Sequence, residues 1–110
     1  MADPTIDLDT FKELQTAAGE EFVRELVDTF LQEAPLMLTD LRDALATGNA
    51  VAFRRAAHSL KSNSQTFGAL GLGAMARELE LKGFGDATPL GLIDQEYACV
   101  AAALTGLRDA

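Results

Sequence analysis

Between residues 22 and 45 the apolar side chains recur with the period of an α-helix. Phe22, Val23, Leu26, Val27, Phe30, Leu31, Leu38, Leu41 and Leu45 form one stripe, and a 3.6-residue repeat held over that length excludes a strand. A helix with one apolar face must bury it against neighbours. The composition says what those neighbours are. The 110 residues include 19 Ala and 17 Leu but only 4 Val and 2 Ile, a balance that favours helix over sheet. Pro35 interrupts the stripe, which predicts a kink or two abutting helices.

Punctuation divides the chain into five helical segments. Asp7 or Asp9 can cap a short first helix carrying Leu8, Phe11 and Leu14, which Ala17–Ala18–Gly19 ends. Glu20 and Glu21 open the second, where carboxylates suit the positive end of the helix dipole. Gly48 stops it, and Asn49 is the expected N-cap of a third helix reaching about Phe67. After a turn at Gly68–Ala69–Leu70–Gly71, a fourth helix carries Leu72, Met75, Ala76 and Leu79 and stops at Gly83 and Gly85. Thr88 as N-cap and Pro89 at the first helical position start the fifth, with Leu90, Ile93, Tyr97, Val100, Leu104 and Leu107. Short connections between amphipathic helices imply antiparallel neighbours. The expected fold is all-α: one domain over residues 1–110, an antiparallel four-helix bundle with a short additional N-terminal helix.

Several functions are disfavoured at once. The formal net charge of −8 argues against nucleic acid and anionic membrane as partners. No run of 18 apolar residues is present, and MADPTIDLDT lacks the apolar core of a signal peptide. One cysteine, Cys99, excludes an internal disulfide, and one histidine, His58, excludes a multi-histidine metal site. A cytoplasmic monomer is expected. The charge is unevenly spread: residues 44–77 carry Arg54, Arg55, Lys61 and Arg77 and no acid.

His58 lies within that basic stretch, on the third helix. With His58 at 0° and about 100° per residue, Arg54 falls near −40°, Arg55 near 60°, Lys61 near −60°, Ser62 near 40° and Gln65 near −20°. Phe53, Ala56, Ala57, Leu60 and Phe67 occupy the opposite side, from about 160° to 260°. The histidine therefore centres the polar face, where both an idle surface histidine and a reagent fit. Ser59, Ser62, Asn63 and Ser64 cluster around it, although Ser and Asn are mediocre helix formers. Such small side chains either admit a partner closely or permit close helix packing.

A roughly symmetric hairpin of helices three and four, turning near residue 69, sets His58 against Glu80 and Lys61 against Arg77. A carboxylate there can accept the imidazole Nδ1–H, which fixes the tautomer and leaves Nε2 free as a nucleophile. Lys61, one turn along, can neutralise an incoming phosphoryl group. The alternative for Glu80 is a solvated residue pairing with Arg77 or Lys82.

The run His58–Ser59–Leu60–Lys61–Ser62–Asn63–Ser64–Gln65–Thr66–Phe67–Gly68–Ala69 resembles the signature of histidine-containing phosphotransfer domains, roughly H-x-L-K-G-x-S-x-x-x-G-A. Phe53–Arg54–Arg55–Ala56–Ala57 is similar to the family's lead-in, and Leu79–Glu80 to its leucine-acid pair. The resemblance implies a carrier that relays a phosphoryl group between receiver-domain aspartates, without an ATP site or autonomous kinase activity. It implies His58 as the phosphorylated residue, Lys61 beside the phosphoryl group and Glu80 hydrogen-bonded to the histidine. It implies no cofactor of the chain's own, with magnesium on the receiver of a response regulator or hybrid sensor kinase. Ser62 stands where the family has glycine, which bears on partner range.

An apolar docking patch of Leu8, Phe11 and Leu14 is expected beside the histidine, with Arg54, Arg55, Ser62, Gln65 and Arg77 around it. Two other functions share parts of this pattern: a phosphoacceptor domain of a chemotaxis-type histidine kinase, and a helical adaptor that binds receivers without accepting phosphate. No Gly-rich phosphate loop or nucleophile–base pair beyond His58 supports an autonomous enzyme.

Overall fold

A computed structural model describes residues 5–83 and 88–109. These residues form five helices: α1 (Leu8–Ala18), α2 (Glu20–Thr47), α3 (Ala50–Thr66), α4 (Leu70–Lys82) and α5 (Thr88–Asp109). Of the two candidate caps, Asp7 is the one used, its carboxylate accepting from the Thr10 backbone N–H at 3.3 Å. Asn49 caps α3 as expected, accepting from the Ala52 N–H at 3.0 Å. Gly48 ends α2 in the left-handed conformation that favours glycine. Helix α4 begins two residues before Leu72, at Leu70, without a side-chain cap. The stop expected at Gly85 and the capping side chain expected of Thr88 lie outside the described residues.

The packing follows the stripes. Helix α2 packs against α3 and α5, α4 packs against the same two, and α1 lies on α2 and α3. The shared core contains Val27, Phe30, Leu41, Phe53, Leu60, Leu72, Ile93 and Leu104, all buried. The ring centroids of Phe30 and Phe67 are 5.3 Å apart and those of Phe30 and Tyr97 are 6.1 Å apart, which ties α2 to both flanking helices.

Pro35 neither ends α2 nor divides it: the helix is continuous over 28 residues. Proline has no N–H to offer the carbonyl four residues back, so Leu31 loses its helical partner. The Tyr97 hydroxyl of α5 donates to that carbonyl oxygen at 3.4 Å. A tertiary contact thus covers the defect that the sequence introduces.

The turn between α3 and α4 holds α1 in place. The Asp7 N–H donates to the Gly68 carbonyl oxygen at 2.8 Å. Gly68 has φ +83°, and a Cβ there would stand 2.7 Å from the Asp7 oxygen. Glycine is therefore required twice, for its backbone conformation and for the close approach. Where α3 meets α4, a Cβ on Gly73 would lie 3.2 Å from Gln65 Cγ and 3.7 Å from Ser64 Cβ. Small residues let the two backbones approach there.

Candidate functional site

Helix α3 is amphipathic, and its fully buried Phe53, Ala57 and Leu60 turn the opposite face outward. His58 centres that outward face with 59% of its side chain exposed. Arg54, Arg55, Ser62 and Gln65 are also exposed, as the helical angles require, and Arg77 is exposed on α4. The four small polar residues separate by role. Ser62 faces outward, Asn63 Nδ2 donates to the Ser59 carbonyl, and Ser64 is buried against α4.

Close packing of α3 on α4 delivers Glu80 to the histidine. Its Oε2 lies 2.6 Å from His58 Nδ1, and its Oε1 accepts from Lys61 Nζ at 2.6 Å. Each carboxylate oxygen thus has its own partner. Glu80 and Lys61 are only 18% and 21% exposed, while the ring between them and solvent is open. The Lys61 hydrogen bond holds the Glu80 carboxyl below the usual carboxylate range, against desolvation and with help from His58. An ionised carboxylate can only accept, so His58 Nδ1 carries the proton and Nε2 presents its lone pair away from Glu80.

The hairpin register brings His58 to Glu80 as expected, and the same carboxylate takes a second partner from α3. Lys61 is that partner: its long stem reaches back along α3 to Glu80. Glu80 does not pair with Lys82, which binds Glu78 one turn away on its own helix at 2.9 Å.

The apolar patch expected from α1 also needs correction. Phe11 is 3% exposed and belongs to the core. Leu14 is partly buried against that core, and only Leu8 is open to solvent. Helix α1 uses its stripe to close onto α2 and α3. The exposed apolar residue beside His58 is instead Val51, two turns earlier on α3. Its angle, about 20° from the histidine, made it legible in the sequence. Val51 lines a shallow depression of about 300 Å³ together with Arg54, Arg55, His58, Ser59 and Glu80.

Among the described residues, no group of three His, Cys, Asp or Glu side chains could hold a metal ion. No described helix is long and apolar enough to cross a membrane.

Residues 25–110 match the model of the Hpt domain. The structure is similar to the crystal structure of histidine-containing phosphotransfer protein B (HptB) from Pseudomonas aeruginosa PAO1. The TM-score is 0.85 at 27% sequence identity, over 98% of this chain and 97% of that one. A search of curated proteins finds no match.

Proposed function

Because the chain belongs to the Hpt domain family, the histidine phosphotransfer modules of phosphorelays, we propose that His58 is its phosphoryl carrier. The observation that carries this reading is the Glu80 carboxylate on His58 Nδ1 at 2.6 Å, with the ring open to solvent on its other side. The donor is a receiver domain carrying an aspartyl-phosphate. The Nε2 lone pair attacks phosphorus in line as the P–O bond to the aspartate breaks. The aspartate leaves with the electron pair as a carboxylate. The Nδ1 proton stays hydrogen-bonded to Glu80 throughout, and the reverse step passes the group to a second receiver aspartate.

In this reading Glu80 is a positioning residue: it fixes tautomer and ring orientation. Lys61 keeps that carboxylate ionised and in place, and its remaining N–H donors stand near the incoming group. The receiver supplies the aspartate and a magnesium ion, which neutralises charge on the phosphoryl oxygens there. The chain itself needs no cofactor and does not phosphorylate itself. Arg54, Arg55, Ser62, Gln65 and Arg77 form the face that meets the receiver. The scaffold is read as an antiparallel four-helix bundle of α2 to α5 with α1 as the extra helix, supported by the closed ring of helix contacts. The module is proposed to act as a cytoplasmic monomer.

The test is transfer from a ³²P-labelled phosphorylated receiver. Acid-labile label is expected on the wild-type chain and none on His58→Gln. Label of equal amount on His58→Gln would overturn the assignment, and no label on the wild type would favour a non-phosphorylated adaptor.

A further inference from the structure

We propose that Arg54 and Arg55 form the oxyanion site that receives the phosphoryl group at His58. This deepens the phosphocarrier reading and rests on it. Three observations converge. First, the charge of Lys61 is already paired: one of its N–H donors goes to Glu80 at 2.6 Å, and that carboxylate also holds the histidine. Second, Arg54 and Arg55 are exposed, and neither forms an ion pair among the described residues. Third, the depression beside His58 is lined by Val51, Arg54, Arg55, His58, Ser59 and Glu80, and Lys61 is not part of that lining.

Helix geometry explains why the depression opens on the arginine side. Every Cα–Cβ bond of an α-helix tilts toward the N-terminus, so a side chain covers the turn before its own Cα. His58 therefore leans over Arg54 and Arg55, at i−4 and i−3, and away from Lys61 at i+3. The two arginines straddle it at about −40° and 60°. Glu80 occupies Nδ1, so Nε2 faces the open side. A guanidinium presents paired N–H donors in a plane that matches two oxygens of a tetrahedral phosphoryl group. Two of them flanking Nε2 neutralise the equatorial oxygens as the N–P bond forms and the bond to the leaving group breaks. Neither arginine takes or gives a proton.

A small phosphodonor separates this role from docking of a partner. Phosphoramidate transfers its phosphoryl group to Nε2 as its own P–N bond breaks and ammonia leaves, with a proton taken from water. The full chain, Arg54→Ala/Arg55→Ala, Arg54→Lys/Arg55→Lys and Lys61→Met are each incubated with phosphoramidate. Nε2-phosphohistidine is followed by ³¹P NMR, and helicity confirms folding.

The double alanine variant is expected to lose about tenfold or more in rate, less than for a buried oxyanion hole because solvent screens the site. The double lysine variant is expected to recover part of that loss, since it keeps charge without the bidentate fork. A double alanine variant as fast as wild type overturns the proposal, as does a loss confined to Lys61→Met. If the wild type takes phosphate on His58 from neither phosphoramidate nor a phosphorylated receiver, the phosphocarrier reading fails and this proposal with it.

Discussion

Glu80 has only two oxygens, and each is given to a different partner, one to the His58 imidazole and one to the Lys61 ammonium. The stronger influence on its ionisation is Lys61, with His58 adding to it. A carboxyl whose folded value is depressed binds protons less readily in the folded state than in the unfolded chain. Its contribution to stability is therefore present above the ordinary carboxylate range and is lost as pH falls through the lowered value. We expect the difference in unfolding free energy between wild type and Glu80→Gln, measured by urea denaturation, to shrink from about pH 5 to pH 3. A difference that stays flat across that window would show that the carboxylate gains nothing from its partners. Gln keeps an acceptor for the histidine and loses the charge that Lys61 binds, so transfer should fall less in Glu80→Gln than in Glu80→Ala. Gly68 makes a complementary point: its positive φ and its contact with Asp7 fix where α1 begins.

Helix α2 shows how an element tolerates a residue its own propensity rejects. An interior proline costs a helix about 3 kcal/mol relative to alanine. Here Tyr97 of α5 donates to the Leu31 carbonyl that Pro35 leaves without a partner. The Tyr97 ring also packs on Phe30. Replacing Tyr97 by Phe retains the ring and removes the hydroxyl. The expected cost is about 1 kcal/mol, the size of one net hydrogen bond. In a Pro35→Ala background the restored backbone N–H can serve Leu31, and the cost of Tyr97→Phe should fall by half or more. Thermal or urea unfolding of the four proteins gives this coupling directly. Equal costs in both backgrounds would mean that the hydroxyl and the proline are unrelated.

Over the whole molecule, charge is unevenly spread along the chain. Residues 44–77 are basic within a chain of net charge −8. The fold places Arg54, Arg55 and Arg77 on exposed positions of adjacent helices. If the proposed receiver docks here, its acidic phosphoryl site is attracted to this face by charge complementarity. Such steering acts on association and weakens with salt, since the screening length falls from about 10 Å at 0.1 M to about 3 Å at 1 M. The transfer rate from a phosphorylated receiver, below saturation, should therefore fall several-fold over that range of ionic strength. Arg77→Gln should flatten the slope, because it removes one charge of the steering face. An unchanged slope would assign Arg77 to solvent alone.

The long stripe of α2, the caps at Asp7 and Asn49, the stop at Gly48 and the exposed setting of His58 were all legible in the sequence. Each rests on spacing or on chemistry within one or two helical turns, which the local chain dictates. The pairing of His58 with Glu80 was legible too, through the register of a short hairpin. The sequence could not decide which cation Glu80 would also take, because Lys61 reaches it along a flexible four-carbon stem. Nor could it decide whether Phe11 faced a partner or the core, since a stripe says that a face is buried and not what buries it. The partner of the Leu31 carbonyl comes from a residue 66 positions away. Local periodicity determined the helices and the exposed position of His58. Contacts between distant helices, which carry no local signal, decided what surrounds it.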